Sequence, residues 1–358
     1  MNPERSTTSS NDEHASAEQV VAAARLLEQG QLVAFPTETV YGLGADAENP
    51  AALAAIYAAK GRPSNHPVIV HLAPEADIGY WAAQVPDQAR RLIECFWPGP
   101  LTLILQRAPH VATALTGGQD SVGLRCPSHP VAQALLREFR QGRGGIAGPS
   151  ANKFGHVSPT TARHVIDEFG SPPAGPLGAI LEGGQSMVGI ESTIIDLSRL
   201  DDFGPALLRP GHIGIAAIED VLGRPLRLPD AAAPRVSGSL DAHYAPRTPL
   251  ALLPGEEIDA VLERLHSLKK RVAMIHHSWL PLGMNMPEAS QAIADDADGF
   301  AFGLYAALRA MDRAGVDVII LEAPPRDSAW QGINDRLRRA AHDSAGAMER
   351  MTRQESAR

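Results

Sequence analysis

The stretch from Val33 to Asp46, VAFPTETVYGLGAD, constrains this chain more than any other. Its first residues are apolar and β-prone, and Pro36, which has no backbone N–H, ends the strand they predict. Thr37, Glu38 and Thr39 therefore emerge beyond a strand end. The Gly42 and Gly44 that follow permit close backbone approaches that a Cβ would forbid, the usual way to build a ligand pocket. The plain alternative is a strand, a turn and a helix start.

A chain of 358 residues, 44% apolar and 5% aromatic, has material for two domains and a sizeable core. A net charge of −9 provides no overall basic field for non-specific nucleic-acid binding, though a local basic groove stays open. Cys95 and Cys126 are the two cysteines, too far apart for a C-x-x-C pair, which fits a reduced, cytoplasmic setting without disulfide framework or zinc knuckle. No run approaches the ~20 apolar residues of a membrane span. Residues 1–15 are polar and read as a disordered tail.

The pattern alternates strand and helix. Ser16 with Gln19 reads as a capping box, Val20, Ala24 and Leu27 follow at helical spacing, and Gly30 stops the helix. Asn49-Pro50 caps a second helix, AALAAIYAAK, which runs to Gly61. Strands are expected at 67–73, 101–106, 122–125, 145–147, 179–181, 193–197 and 206–208, with helices at 86–96, 130–139 and 160–169. Arg125, Ser150, Asn152 and Arg209 fall near strand ends, where ligands collect in α/β sheets. Residues 16–223 thus read as one α/β domain and 224–248, rich in Pro, Ala, Ser and Gly, as a linker. Residues 249–343 read as a smaller α/β domain, with strands LALLP, RVAMIHH and VDVIILEA and helices near 256–268, 301–314 and 334–341. Residues 344–358 read as a polar, frayed tail.

Individual motifs leave alternatives open. Gly42-x-Gly44-x-x-Ala47 formally matches a dinucleotide fingerprint, but no acid follows at the ribose distance. There is no P-loop and no H-E-x-x-H. Lys60 and Arg62 either complement a helix dipole or grip polyphosphate, a point charge beside a bidentate fork. Ser150 and Asn152 offer phosphate, hydrated Mg²⁺ or a base edge two polar groups on a rigid turn, or simply make that turn. Glu191-Ser192-Thr193 precedes an apolar strand, and Ser192 has no evident His-Asp partner. Cys126 reads as packing, and the 13 histidines show no ligand spacing.

Taken in order, FPTETVYGLGADA, KGRPSNHPVIVHL, FWPGPLTLIL, VGLRCPSHP, GPSANKFGHVSPT, GIESTIID, LLRPG and SGSLDAHYAP resemble the YrdC-like threonylcarbamoyl-AMP synthases, in the long form with a C-terminal domain. The resemblance spans roughly 16–341. It implies a YrdC-like twisted mixed sheet with an open ligand cleft and a smaller Rossmann-like domain. The implied reaction joins ATP, L-threonine and bicarbonate into threonylcarbamoyl-AMP and pyrophosphate, a nucleotidyl transfer. Its product would pass to threonylcarbamoyl transferase proteins acting on tRNA, with no membrane and no stable nucleic-acid complex. Carried over by motif, Lys60 and Arg62 are catalytic. ATP falls to Lys60, Arg62, Ser150, Asn152, Ser158, Arg209 and Tyr244. L-threonine falls to Thr37, His71, Arg125 and Ser192. Mg²⁺ would arrive with ATP, no side chain being assigned to it, and Tyr244 would close the site with the C-terminal domain as a lid. Rival readings are an RNA-binding module using the same cleft, a carbamoyl transferase, whose zinc and acylphosphatase segments are absent here, and a dinucleotide oxidoreductase.

Overall fold

The computed structural model describes residues 14–238, 243–279 and 286–352. Most of the expected N-terminal tail, the linker centre at 239–242 and the last residues of the C-terminal tail lie outside the described residues. The first helix, Ala17–Glu28, starts with the reciprocal cap: Gln19 N–H donates to Ser16 Oγ (3.3 Å) and Ser16 N–H to Gln19 Oε1 (2.8 Å). Gly30, at φ 80°, turns the chain into β1 (Leu32–Phe35), every residue of which is buried.

Beyond Pro36 the chain doubles back as β2 (Gly42–Asp46), antiparallel to β1, with Gly42 opposite Phe35 and Gly44 opposite Val33. The two glycines are therefore strand residues, and the dinucleotide fingerprint has no helix N-terminus to act on. A Cβ on Gly42 would stand 2.9 Å from Phe35 Cζ, and one on Gly44 3.0 Å from the Val33 carbonyl oxygen. Glycine here makes room for the Phe35 ring, which packs edge-on against His71 at 5.6 Å. Gly42→Ala should push that ring out of place and destabilise the fold by about 1–3 kcal/mol, read as a lower urea midpoint at unchanged slope.

The remaining strands are β3 (Val70–His71), β4 (Leu101–Gln106), β5 (Ser121–Arg125), β6 (Ile146–Ala147), β7 (Leu177–Ile180), β8 (Thr193–Asp196) and β9 (Ala206–Arg209). They join β1 and β2 in one mixed sheet of order β7-β1-β2-β6-β3-β5-β4-β8-β9. Both faces are covered, which is why β1 has no polar residue: Leu32 and Ala34 enter one core, Val33 and Phe35 the other. The strand expected at 67–73 is cut to two residues, since Pro67 cannot donate to a ladder. A helix at Ile215–Leu222, not expected, closes the domain and ends at Gly223 with φ 66°.

The linker is no free spacer. Arg227 exchanges backbone hydrogen bonds with Pro205 and Leu207, and the Arg235 N–H donates to Gln119 Oε1 at 2.6 Å, so residues 224–238 are laid back over the first domain. The second domain holds β10 (Leu250–Leu253), β11 (Val272–His276), β12 (Ala289–Ala292) and β13 (Val318–Glu322), all parallel, in the order β10-β13-β11-β12. Its long helix, Ala297–Asp312, begins earlier than expected because Asp296 caps it. The expected frayed tail is corrected as well: Ser344–Thr352 is helical, with Met348 and Met351 packed on the Ile258 and Leu262 core and the Ser344 hydroxyl accepting from Leu252 N–H. Among the described residues, no helix is long and apolar enough to cross a membrane.

Candidate active site

The ends of several strands open on one cavity, partly exposed to solvent. Ten of the eleven residues singled out from sequence line it: Thr37, Lys60, Arg62, His71, Arg125, Ser150, Asn152, Ser192, Arg209 and Tyr244. Local folding explains the convergence. The helix Pro50–Lys60 ends at Gly61 in the left-handed region (φ 63°), reversing the chain between Lys60 and Arg62. His71 and Arg125 end β3 and β5 in the same register. Ser192 precedes β8 and Arg209 ends β9. The loop holding Ser150 and Asn152 is laced to its neighbours by Gly148 N–H to Ile69 O, Leu43 N–H to Pro149 O and Ala151 N–H to Tyr41 O.

Ser158 is the exception. Its fully buried hydroxyl donates to Glu191 Oε1 at 2.5 Å, one layer behind the cavity lining. A carboxylate behind the wall claims the donor.

Four buried cations face the cavity with few acids to neutralise them. Lys60 Nζ donates to Ser150 O and Asn152 O, both at 2.6 Å, which ties the K-x-R turn to the S-x-N loop. Burial, then Arg62, drives its pKa well below the ordinary lysine value, with partial relief from Glu168 and Glu191. Arg62 donates to Pro67 O (2.9 Å) and Ser237 Oγ (3.1 Å), and burial lowers its pKa to about 10. Arg209 grips the Ser192 carbonyl with Nε (3.0 Å) and Nη2 (2.9 Å) and reaches Ser237 O with Nη1 (2.8 Å). Arg125 spends three donors on Gly99 O, Thr39 Oγ1 and Glu38 Oε1, leaving two of the five a guanidinium has. Such a site favours a polyanion.

Unpartnered polar atoms show where a ligand would bind. Asn152 Nδ2 donates to Lys153 O (2.8 Å) and His156 O (2.9 Å), which fixes the amide orientation and leaves Oδ1 buried without a partner. Arg62 Nε, His71 Nδ1, His243 Nδ1 and the Tyr244 hydroxyl are in the same state. His71 fits only because residue 148 is glycine, whose Cβ would stand 2.8 Å from Nδ1. Thr37 closes a turn, its hydroxyl donating to Val40 O at 2.6 Å, and Ser192 Oγ lies 2.8 Å from Thr102 Oγ1.

Burial, then Arg125, lowers the His71 pKa to about 3; burial, then Lys60 and the arginines against Glu191, does the same for His243. Both are neutral in the folded state, and their folded pKa lies below the unfolded value near 6.5. Stability is therefore full above pH ~6.5 and drains as pH falls toward about 3. The urea midpoint should decline over that window, and His243→Asn should flatten the decline.

Thr39, Glu191, Ser237, His243 and Phe154, none of them assigned a ligand from the sequence, also line the cavity. His243 adjoins Tyr244 and Thr39 lies two residues from Thr37, so nearness in the chain was the available signal. Tyr244 sits at φ 61°, its ring stacked on Tyr305 at 5.9 Å, and Gly238 is obligatory beneath it because a Cβ there would stand 1.9 Å from the hydroxyl oxygen.

Comparison with known proteins agrees with this geometry. Residues 25–211 match the Sua5, YciO and YrdC family model described as "Telomere recombination", and residues 213–342 match that of the threonylcarbamoyl-AMP synthase C-terminal domain. The threonylcarbamoyl-AMP synthase of Pyrococcus abyssi is 36% identical over 89% of this chain and 93% of its own, and that of Bacillus subtilis 39% identical over 90% and 93%. The crystal structure of P. abyssi Sua5 complexed with L-threonine superposes with a TM-score of 0.83 at 34% identity, covering 93% of this chain and 96% of that one. Fold, cavity and relatives together place the chain in the threonylcarbamoyl-AMP synthase family, in the form that carries the C-terminal domain.

Proposed function

We propose that this enzyme is an L-threonylcarbamoyladenylate synthase, a nucleotidyltransferase that joins ATP, L-threonine and bicarbonate and releases pyrophosphate, for threonylcarbamoyladenosine modification of tRNA. One observation carries the reading: Lys60, Arg62, Arg125 and Arg209 converge, buried, on a cavity that also holds unpartnered donors and acceptors. Arg125 keeps two donors for the threonine carboxylate, beside His71 and Ser192. Lys60, Arg62 and Arg209 hold the triphosphate, with Ser150 and Asn152 alongside and Tyr244 over the nucleotide.

The chemistry asks little covalent help. The threonine amine adds to bicarbonate with loss of water to give a carbamate. A carbamate oxygen then bonds to the α-phosphorus as the bond to the β-phosphate oxygen breaks, and the electron pair leaves with pyrophosphate. Positioning and the cations supply the catalysis. Among the described residues no cluster of His, Cys, Asp or Glu could hold a metal. The free Asn152 Oδ1 is a hard oxygen suited to the hydration shell of Mg²⁺ carried in by ATP, which would neutralise phosphate charge. Carbamates hydrolyse readily, so burial of the site by Tyr244 protects the intermediate. Two free cysteines, Cys95 and Cys126, support a reducing cytoplasm as the compartment, and the product then awaits a transferase acting on tRNA.

The test uses ¹³C-bicarbonate with ATP and L-threonine, reading the product by mass spectrometry. Label in a threonine adenylate supports the proposal; adenylate without label means that the amino acid is activated directly, and the proposal fails.

A further inference from the structure

We propose that Arg336, on the C-terminal domain, is a positioning residue that completes the nucleotide cavity from outside the catalytic domain. The inference rests on the reading that this cavity binds ATP. Arg336 projects from the helix Gln331–Ala340 and is fully buried. Its Nε donates to Glu191 Oε2 at 2.8 Å, its Nη2 to Glu191 O at 3.0 Å and its Nη1 to Pro210 O at 2.7 Å, while its Cζ lies 5.5 Å from the Tyr244 ring centroid.

Each contact sits at the cavity wall. Glu191 lines the cavity and precedes Ser192, Pro210 follows Arg209, and Tyr244 belongs to the linker. Nothing covalent keeps these three segments in register. The β8–β9 ladder and Arg209 already join the first two, and one planar fork touches all three, with donors at fixed angles that a single ammonium could not reproduce. The helix comes close enough because residue 332 is glycine, whose Cβ would stand 2.8 Å from Gly211 O. Tyr305, from the helix Ala297–Asp312, donates to the same Glu191 Oε2 at 3.0 Å and stacks on Tyr244. Ser158 holds the other carboxylate oxygen, so Glu191 has no freedom to seek a new partner. The second domain thus braces the site wall from behind, which goes beyond closing over it.

The test uses the full-length Arg336→Lys variant, which keeps the charge facing Glu191 and loses the fork. ATP affinity is read by calorimetry, and KM for ATP and threonine from pyrophosphate release, beside thermal melts. The control is Arg313→Ala, which removes an exposed ion pair across the same domain boundary, Arg313 to Asp167 at 2.9 Å. A purely structural loss reduces the folded fraction and so the apparent kcat, with KM unchanged. The proposal expects the ATP Kd and both KM values to rise about ten-fold or more in Arg336→Lys, the scale of one lost hydrogen-bonded contact, and to stay put in Arg313→Ala. Wild-type Kd and KM in a folded Arg336→Lys overturn it. Should that variant not fold, Glu191→Gln takes its place, keeping the shape without the charge, and an unchanged ATP Kd there is equally fatal. Because Kd is read without turnover, a wild-type protein that binds ATP and releases no pyrophosphate sinks the reaction while leaving this result legible.

Discussion

Lys60→Ala should lower threonine-dependent pyrophosphate release by a factor of about 10²–10³ with the fold intact. Losing one preorganised donor to developing transition-state charge costs roughly 2.7–4 kcal/mol, and Lys60 is a buried cation at the cavity wall held by two carbonyl oxygens. The fold should tolerate the change, because burial already depresses the lysine pKa and an apolar side chain relieves that cost. Activity is thus expected to fall far more than stability, since relief of the buried ammonium is offset by two carbonyls that lose their donor. Steady-state kinetics and a thermal melt on the same preparation check this; a variant with wild-type kcat would show that Lys60 does not face the reacting phosphates.

Arg125→Ala should lose both activity and stability, for separable reasons. The guanidinium pairs with Glu38 at 2.6 Å, both side chains nearly inaccessible, and stripping one partner from a buried pair costs about 3–5 kcal/mol through the charge left behind. The same change removes the two donors that we propose bind the threonine carboxylate. Arg125→Ala combined with Glu38→Gln, which withdraws the stranded charge, should recover much of the urea midpoint while threonine KM stays high. Recovery of both together would mean that Arg125 is structural only.

Much of this was legible because the chemistry lies at strand ends marked by proline and glycine. Pro36 ends β1 just ahead of Thr37, Gly61 reverses the chain between Lys60 and Arg62, and both signals are local. GLGAD was misjudged for a non-local reason: it holds no β-branched residue, and its strand character comes from pairing with Phe35 and Val33 across the ladder. The helix Ile215–Leu222 starts at Gly214 with no side-chain cap, so its start signal is missing. Ser158 came in with the motif that carries the S-x-N loop, and its hydrogen bond to Glu191, 33 residues on, had no signal in the sequence. The partner of Glu191 is farther still, Arg336 at a separation of 145 residues, and no spacing rule reaches that far.

The most direct measurement is pyrophosphate release by the purified protein from ATP and bicarbonate, with L-threonine, with L-serine and without amino acid. The account predicts release that requires bicarbonate and L-threonine together. Release at the same rate without an amino acid, or none from folded protein under any of these conditions, would contradict it.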